Sequence, residues 1–103
     1  MIDAHDGLLR ALQARIGTEI PLEIRSARSE PWASATFSGS RHSFALALSG
    51  PKAAAATARL AARLDAIEFD LPGHLVADIA LTQRDDGLDC SAFSIEALTV
   101  EDW

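Results

Sequence analysis

The sequence is poor in the residues that define several specialised classes of protein. It contains a single cysteine, Cys90, so it cannot form an internal disulfide bond, as is typical of proteins in a reducing compartment. Six glycines and four prolines in 103 residues exclude collagen-like and linker-like chains. No apolar run approaches the ~18 residues that a membrane-spanning helix needs. The N-terminus is acidic where a signal peptide is basic, and together these features predict a cytoplasmic protein that binds no membrane.

Basic residues are also scarce. The chain has 9 lysines and arginines against 15 aspartates and glutamates, for a formal net charge of −6. Such an acidic domain is unsuited to gripping a phosphate backbone, so we expect no nucleic-acid binding. Residues 1–50 are neutral overall and residues 51–103 carry the whole negative charge. The asymmetry is consistent with attraction between the halves of two copies, and equally with a solvated surface.

The remaining composition is that of an ordinary soluble globular protein. Hydrophobic residues make up 49% of the chain and charged residues 23%. A chain of this length has room for one core, which predicts a single domain over residues 1–103. Alanine is abundant and lysine occurs only once, at Lys52. We interpret this bias as bacterial-like codon composition, which lowers the weight of any one alanine or arginine.

Two segments show the apolar spacing of amphipathic helices. The first covers residues 4–17 and begins at a cap formed by Asp3 or Asp6. The second is alanine-rich, covers residues 52–67 and has a proline, Pro51, at its start. The stripes that we expect to be buried are Leu8, Leu12 and Ile16 in the first helix, and Ala56, Leu60, Leu64 and Ile67 in the second.

The other segments alternate apolar and polar residues with the period of a β-strand. Glycine-containing turn signals occur at Ser38-Gly39-Ser40 and at Asp85-Asp86-Gly87, and the alternation slips near Ser91–Phe93, which predicts a bulge there. Pro31 separates the first two extended runs. The predicted extended runs cover residues 19–28, 32–37, 42–49, 75–81 and 88–100.

The predicted order of elements is α-β-β-(β)-α-β-β. It defines an α+β two-layer sandwich, in which an antiparallel sheet of four or five strands carries two helices on one face. The segments around Leu12 and Leu60 resemble each other in pattern, and each helix precedes a hairpin. This correspondence is consistent with a duplicated α-β-β unit.

The sequence lacks the local motifs of the common catalytic and metal sites. No H-x-x-x-H, C-x-x-C or H-E-x-x-H spacing occurs, so we expect no metal site and no cofactor. Neither a G-x-S-x-G nucleophile elbow nor a phosphate-binding loop is present. Cys90 lies in an extended run, where we expect a buried and inert thiol. We therefore favour a non-catalytic protein, without excluding an enzyme.

One stretch combines basic and aromatic residues. Such a mixture could stack on a base or hold an anionic ligand, which makes a small-ligand binder or an enzyme the alternative function. Nearby glutamates dilute the positive charge, and an ordinary exposed hairpin explains the same pattern. The candidate ligand-binding residues are Arg25, Arg28, Trp32, Arg41 and His42.

The leading hypothesis is a protein that acts by associating with itself. A sheet with helices on one side should show water a strongly polar second side, but here several positions of that side are small and neutral. Such a surface could pack against a copy of itself, and two-fold dimers are the commonest closed assembly. The candidate interface residues are Ser43, Ala45 and Ala47. A third hypothesis is binding of a basic partner by acidic residues, namely Asp65, Glu68, Asp70, Asp85, Asp86 and Asp89.

Overall fold

A computed structural model describes residues 3–101 of the chain. Within this range the chain forms two α-helices, a short 3₁₀ helix and four β-strands, which confirms the predicted α+β class. In chain order the elements are α1 (Ala4–Ile16), β1 (Leu22–Ala33), β2 (Ser38–Ser49), α2 (Ala53–Arg63), the 3₁₀ helix (Leu64–Ala66), β3 (His74–Asp86) and β4 (Cys90–Glu101).

The four strands form one antiparallel sheet in the order β1-β2-β4-β3. Each helix therefore precedes one hairpin, β1–β2 or β3–β4, and the second strand of each hairpin lies at the centre of the sheet. This arrangement agrees with two successive α-β-β units. Within residues 3–101 no helix is both long and apolar enough to cross a membrane.

Both helices cover the same face of the sheet, over the central strands. The stripes expected from the sequence are buried there, except that Ile67 is only partly buried. Helix α1 begins at a side-chain cap, because Asp3 Oδ1 accepts a hydrogen bond of 2.8 Å from the Asp6 backbone N–H. Gly17 ends α1 with a positive φ of 95°. The β2 and β4 side chains in this core are Phe44, Leu46, Leu48, Phe93, Ile95 and Ala97.

The segments predicted as two runs, 19–28 and 32–37, form the single strand β1, so the described sheet has four strands. Pro31 stays within this strand and lies opposite Ser40. It is tolerated because β1 is an edge strand, where one side of the backbone has no strand partner. The turn between β1 and β2 is formed by residues 34–37, where the Ser34 hydroxyl accepts a hydrogen bond of 3.0 Å from the Phe37 N–H.

Both turns that were predicted at glycines therefore lie elsewhere in the chain. Gly39 belongs to β2 rather than to a turn, and Asp86 is the last residue of β3. The second turn is formed by residues 87–89, and Gly87 does not have the positive φ that an Asp-Gly turn would require. The predicted bulge in β4 is also wrong. The register shifts lie in the partner strand β3, at Ala77 and Thr82.

Candidate functional site

The alternation of β2 places Ser43 and Ala45 on the side of the sheet opposite the helices, which we call the open face. The strand register arranges its side chains in five rows across β1, β2, β4 and β3 in that order. They are Trp32-Gly39-Val100-Leu75 (row 1), Glu30-Arg41-Leu98-Asp78 (row 2), Arg28-Ser43-Glu96-Ala80 (row 3), Ser26-Ala45-Ser94-Gln83 (row 4) and Glu23-Ala47-Ala92-Asp85 (row 5).

The rows change in character along the strands. Row 1 presents large apolar side chains, and Leu75 is 57% exposed although it is a leucine. Rows 2 and 3 carry most of the charge. The two central strands of rows 4 and 5 carry only alanine and serine. The open face therefore has a large apolar end, a charged middle and an end of small residues.

Trp32 defines the shape of the large end. Its indole Nε1 donates a hydrogen bond of 3.2 Å to the Thr99 carbonyl oxygen. Trp32 lies on β1 and Thr99 on β4, so the indole must cross β2, where Gly39 is its cross-strand neighbour. A β-carbon at position 39 would lie 1.8 Å from the same carbonyl oxygen. Glycine is therefore needed here for close approach of β2 to β4, not for a turn.

The small end contains a hollow of about 580 Å³. Ser43 and Ala45 are partly buried, whereas Ala47 is 4% exposed within one copy of the chain. The three candidate interface residues thus share the open face, but Ala47 has little surface left to offer a partner. Open-face residues that line the hollow are Arg25, Ala45, Gln83, Asp85, Ala92 and Ser94.

The candidate ligand-binding residues are only partly brought together. Arg28, Arg41 and His42 all border one depression of about 360 Å³ in the charged middle, although the His42 side chain points to the other face of the sheet. Three carboxylates, those of Glu30, Asp78 and Glu96, share its lining, so the depression does not favour an anion. Trp32 lies on the same face beyond row 2. Arg25 lies at the β1 bulge, and its Nε is 3.6 Å from the Glu23 carboxylate.

His42 points to the opposite face, under helix α1. Its side chain is buried, with the residue 2% exposed, and its ring lies parallel to that of Phe44. The alternation that carries Phe44 into the core also carries His42 there, because the two residues are separated by two positions. His42 therefore contributes its side chain to the core and not to the surface near Arg41.

A chain of hydrogen bonds satisfies the buried His42 ring. We assign the proton of the neutral His42 ring to Nε2, which lies 2.9 Å from the Thr99 hydroxyl oxygen, because that hydroxyl is placed to donate its own proton to the Ser40 carbonyl oxygen at 3.4 Å. His42 Nδ1 is then unprotonated and accepts from His5 Nδ1 at 3.0 Å. Burial, followed by the nearby His5, lowers the pKa of His42 from 6.5 to about 4. The neutral ring thus joins the start of α1 to the sheet.

The candidate acidic residues do not form one surface. Three of them precede the start of β3, namely Asp65, Glu68 and Asp70. The other three lie at or beyond the opposite end of this 13-residue strand, namely Asp85, Asp86 and Asp89. Asp86 is also engaged, because its carboxylate receives hydrogen bonds from Arg84 at 2.8 Å and from the Ser91 hydroxyl at 2.7 Å. These two bonds, that of Arg84 first, lower the pKa of Asp86.

Both edges of the sheet carry features that disfavour strand pairing with another chain. Edge strand β1 has a bulge at Arg25 and contains Pro31, which lacks a backbone donor. Edge strand β3 has two bulges, at Ala77 and Thr82, and ends in charged residues. Bulges, prolines and charges are the usual means of preventing edge-to-edge association.

Cys90 is exposed at the first position of β4, contrary to the expectation of a buried thiol. Among residues 3–101, no group of three or more histidine, cysteine, aspartate or glutamate side chains is placed to hold a metal ion. No family model, no curated protein and no solved structure matches the chain.

Proposed function

We propose that this protein is a non-catalytic module that acts by associating with a second copy of itself through the open face. The observation that carries the proposal is the character of the two ends of this face, which neither α1 nor α2 covers. At one end Leu75 is exposed beside the half-buried Trp32, and at the other the central strands carry only alanine and serine, with the charged rows between them. A solvated sheet face is ordinarily polar. The bulged edges favour the face over the edges as the place of contact.

The size of the open face suits a dimer. Five rows at about 6.8 Å each and four strands at about 4.8 Å give roughly 600 Å² per copy. Two such faces would bury roughly 1,200 Å² in total, the lower end of the range for specific stable interfaces. Because buried area does not determine affinity, the dissociation constant has to be measured, by scattering and sedimentation over a series of protein concentrations.

Neither of the other two hypotheses is supported as well by the geometry. The ligand-binding hypothesis predicts a pocket with two or more of the Arg28, Trp32, Arg41 and His42 side chains. Arg28 and Arg41 do line one, but three carboxylates in the same lining oppose an anionic ligand, and the His42 side chain lies on the other face. The acidic-partner hypothesis needs one continuous acidic surface, and its residues lie around opposite ends of β3.

The test is the solution mass of the wild type and of Ala45→Glu. At tens of micromolar we expect light scattering to give the wild type twice the 11.0 kDa chain mass. Ala45→Glu would bury an unpaired charge in the interface and should give a folded monomer. Ala61→Glu is the matched control, because Ala61 is exposed on α2. A monomeric wild type would overturn the proposal, and a dimeric Ala45→Glu would remove the open face as the interface.

A further inference from the structure

The two ends of the open face are complementary in size. At the large end, the Trp32 indole lies across β2 at row 1, held by its hydrogen bond to Thr99. At the small end, the hollow of about 580 Å³ lies beside Ala45 of the same strand, at row 4. The hollow is shallow and open to solvent, and the small side chains of Ala45, Ala92 and Ser94 in its lining leave room for the flat face of an indole. One copy cannot fill its own hollow, because Trp32 is at the other end of the sheet.

We propose that two copies pack face to face with their sheets antiparallel, so that the large end of each fills the hollow of the other. This inference rests on the proposed self-association and specifies its geometry. The two-fold axis crosses the strands between rows 2 and 3, which places each strand over the same strand of its partner. Row 1 then faces row 4 of the partner, and the Trp32 indole, lying over β2, meets the partner's Ala45.

The charges of β1 support the same axis, although on β4 the axis places Glu96 opposite the partner's Leu98. Row 2 faces row 3 of the partner, so on β1 Glu30 lies opposite the partner's Arg28, and the two-fold repeats this pair. The acidic residues of row 5, Glu23 and Asp85, fall outside the overlapping rows. Four rows then meet, and the buried area is about 1,000 Å² in total, which is the size of a weak interface. An axis parallel to the strands would instead place β1 over β3 of the partner. Glu30 would then face the partner's Asp78, a like-charge contact that opposes association.

A charge-reversal cycle on β1 distinguishes the two axes. The variants are Arg28→Glu, Glu30→Arg and the double variant, and all three change exposed side chains of an edge strand. Sedimentation velocity at low salt measures the dimer dissociation constant, with circular dichroism to establish that each variant is folded. Each single change should raise the dissociation constant about tenfold or more, and the double variant should bring it back to within about threefold of the wild type.

The outcomes separate this inference from the proposal on which it rests. A wild type that stays monomeric overturns the self-association itself. A dimeric wild type whose Glu30→Arg variant associates as tightly or more tightly overturns the antiparallel axis, because relief of a Glu30–Asp78 contact belongs to the parallel one. Failure of the double variant to recover also overturns it.

Tryptophan fluorescence gives an independent measurement on the hollow. Trp103→Phe leaves Trp32 as the only tryptophan, and its emission should shift to the blue as the protein concentration rises through the dissociation constant. Ala92→Phe fills the hollow and should abolish both the shift and the dimer. Ala61→Phe adds the same side chain on the exposed surface of α2 and should leave both unchanged. An unchanged shift in Ala92→Phe would show that Trp32 does not enter the hollow.

Discussion

His5 and His42 meet through their Nδ1 atoms at 3.0 Å, so a hydrogen bond forms only while one of these nitrogens lacks a proton. His42 Nδ1 is the nitrogen without a proton, because the Thr99 hydroxyl oxygen accepts a hydrogen bond from Nε2 of the same ring. Protonation of His42 would place two N–H groups against each other beneath α1. The link between the first helix and the sheet therefore depends on a neutral His42.

This dependence predicts a loss of stability in acid. The pKa of His42 is about 4 in the folded protein and 6.5 ordinarily, so between these values the unfolded chain binds a proton that the folded chain does not. The contribution of the neutral His42 to the free energy of unfolding is fully present above pH 6.5 and is lost as the pH decreases towards 4. The free energy of unfolding should decrease by up to about 3 kcal/mol over this range, at about 1.4 kcal/mol per pKa unit.

Urea unfolding at a series of pH values between 7.5 and 4 measures the effect. A His42→Leu variant has no proton to bind at this position, and its stability should change less over the same range. His74→Gln is the comparison variant: His74 has no hydrogen bond to His42, and its charge is the smallest of the causes that shift the pKa of His42, so this variant should keep a pH profile close to that of the wild type. Parallel pH profiles for wild type and His42→Leu would contradict the prediction.

Gly39→Ala should be strongly destabilising. The added β-carbon would meet the Thr99 carbonyl oxygen at 1.8 Å, so β2 and β4 would have to separate at this point. We expect a loss of about 3 kcal/mol in the free energy of unfolding, as for other substitutions that force the backbone out of its native position. Ser43→Ala, a small change on the same strand, should cost much less. Chemical denaturation of both variants decides the matter, and equal stabilities would show that position 39 tolerates a side chain.

Thr57→Val should stabilise the protein. Thr57 is fully buried in α2, and within the described part of the chain its hydroxyl has no hydrogen-bond partner. Replacing the hydroxyl with a methyl group of similar size removes an uncompensated polar group, which should add about 1 kcal/mol. Thr57→Ser keeps the hydroxyl and loses the methyl group, so it should be less stable than the wild type. A Thr57→Val protein that melts at a lower temperature would mean that the hydroxyl is satisfied in solution.

The packing of α2 and of the 3₁₀ helix that follows it predicts large losses on truncation. Leu60 and Leu64 are both buried against the sheet, at 5% and 4% exposure. Leu60→Ala and Leu64→Ala should each cost about 2–5 kcal/mol through lost apolar contact and the cavity left behind. Because domains have only about 5–15 kcal/mol of stability, the double variant should be largely unfolded at room temperature. Native-like thermal unfolding of the double variant would contradict this assignment of the core.

Hydrophobic period predicted the helices, most strand positions and the fold class, because burial on one face imposes that period directly. The turns were predicted less well, since glycine serves two purposes that a sequence does not separate. Gly39 permits a close approach within the sheet, and Gly87 lies in a turn without adopting a positive φ. The hydrogen bond from Trp32 to Thr99 joins residues 67 positions apart, and no local pattern indicates it.

The candidate site was likewise predicted only in part. Strand alternation correctly placed Ser43 and Ala45 on the face opposite Phe44. The same alternation could have placed His42 in the core, but its proximity to Arg41 in the sequence suggested a shared surface. The hollow at the small end depends on the register of four strands, which the sequence leaves open.

The sheet order β1-β2-β4-β3 means that neither helix–hairpin unit is complete without the other. β2 pairs with β4 along 11 residue positions, and this seam lies directly beneath the helices. A fragment ending near Gly50 would expose the free edge of β2 beside Phe44, Leu46 and Leu48, an apolar edge with none of the bulges that protect β1 and β3. Two separately produced halves should therefore reassemble through this seam when mixed, whereas each half alone should aggregate or pair with its own copy.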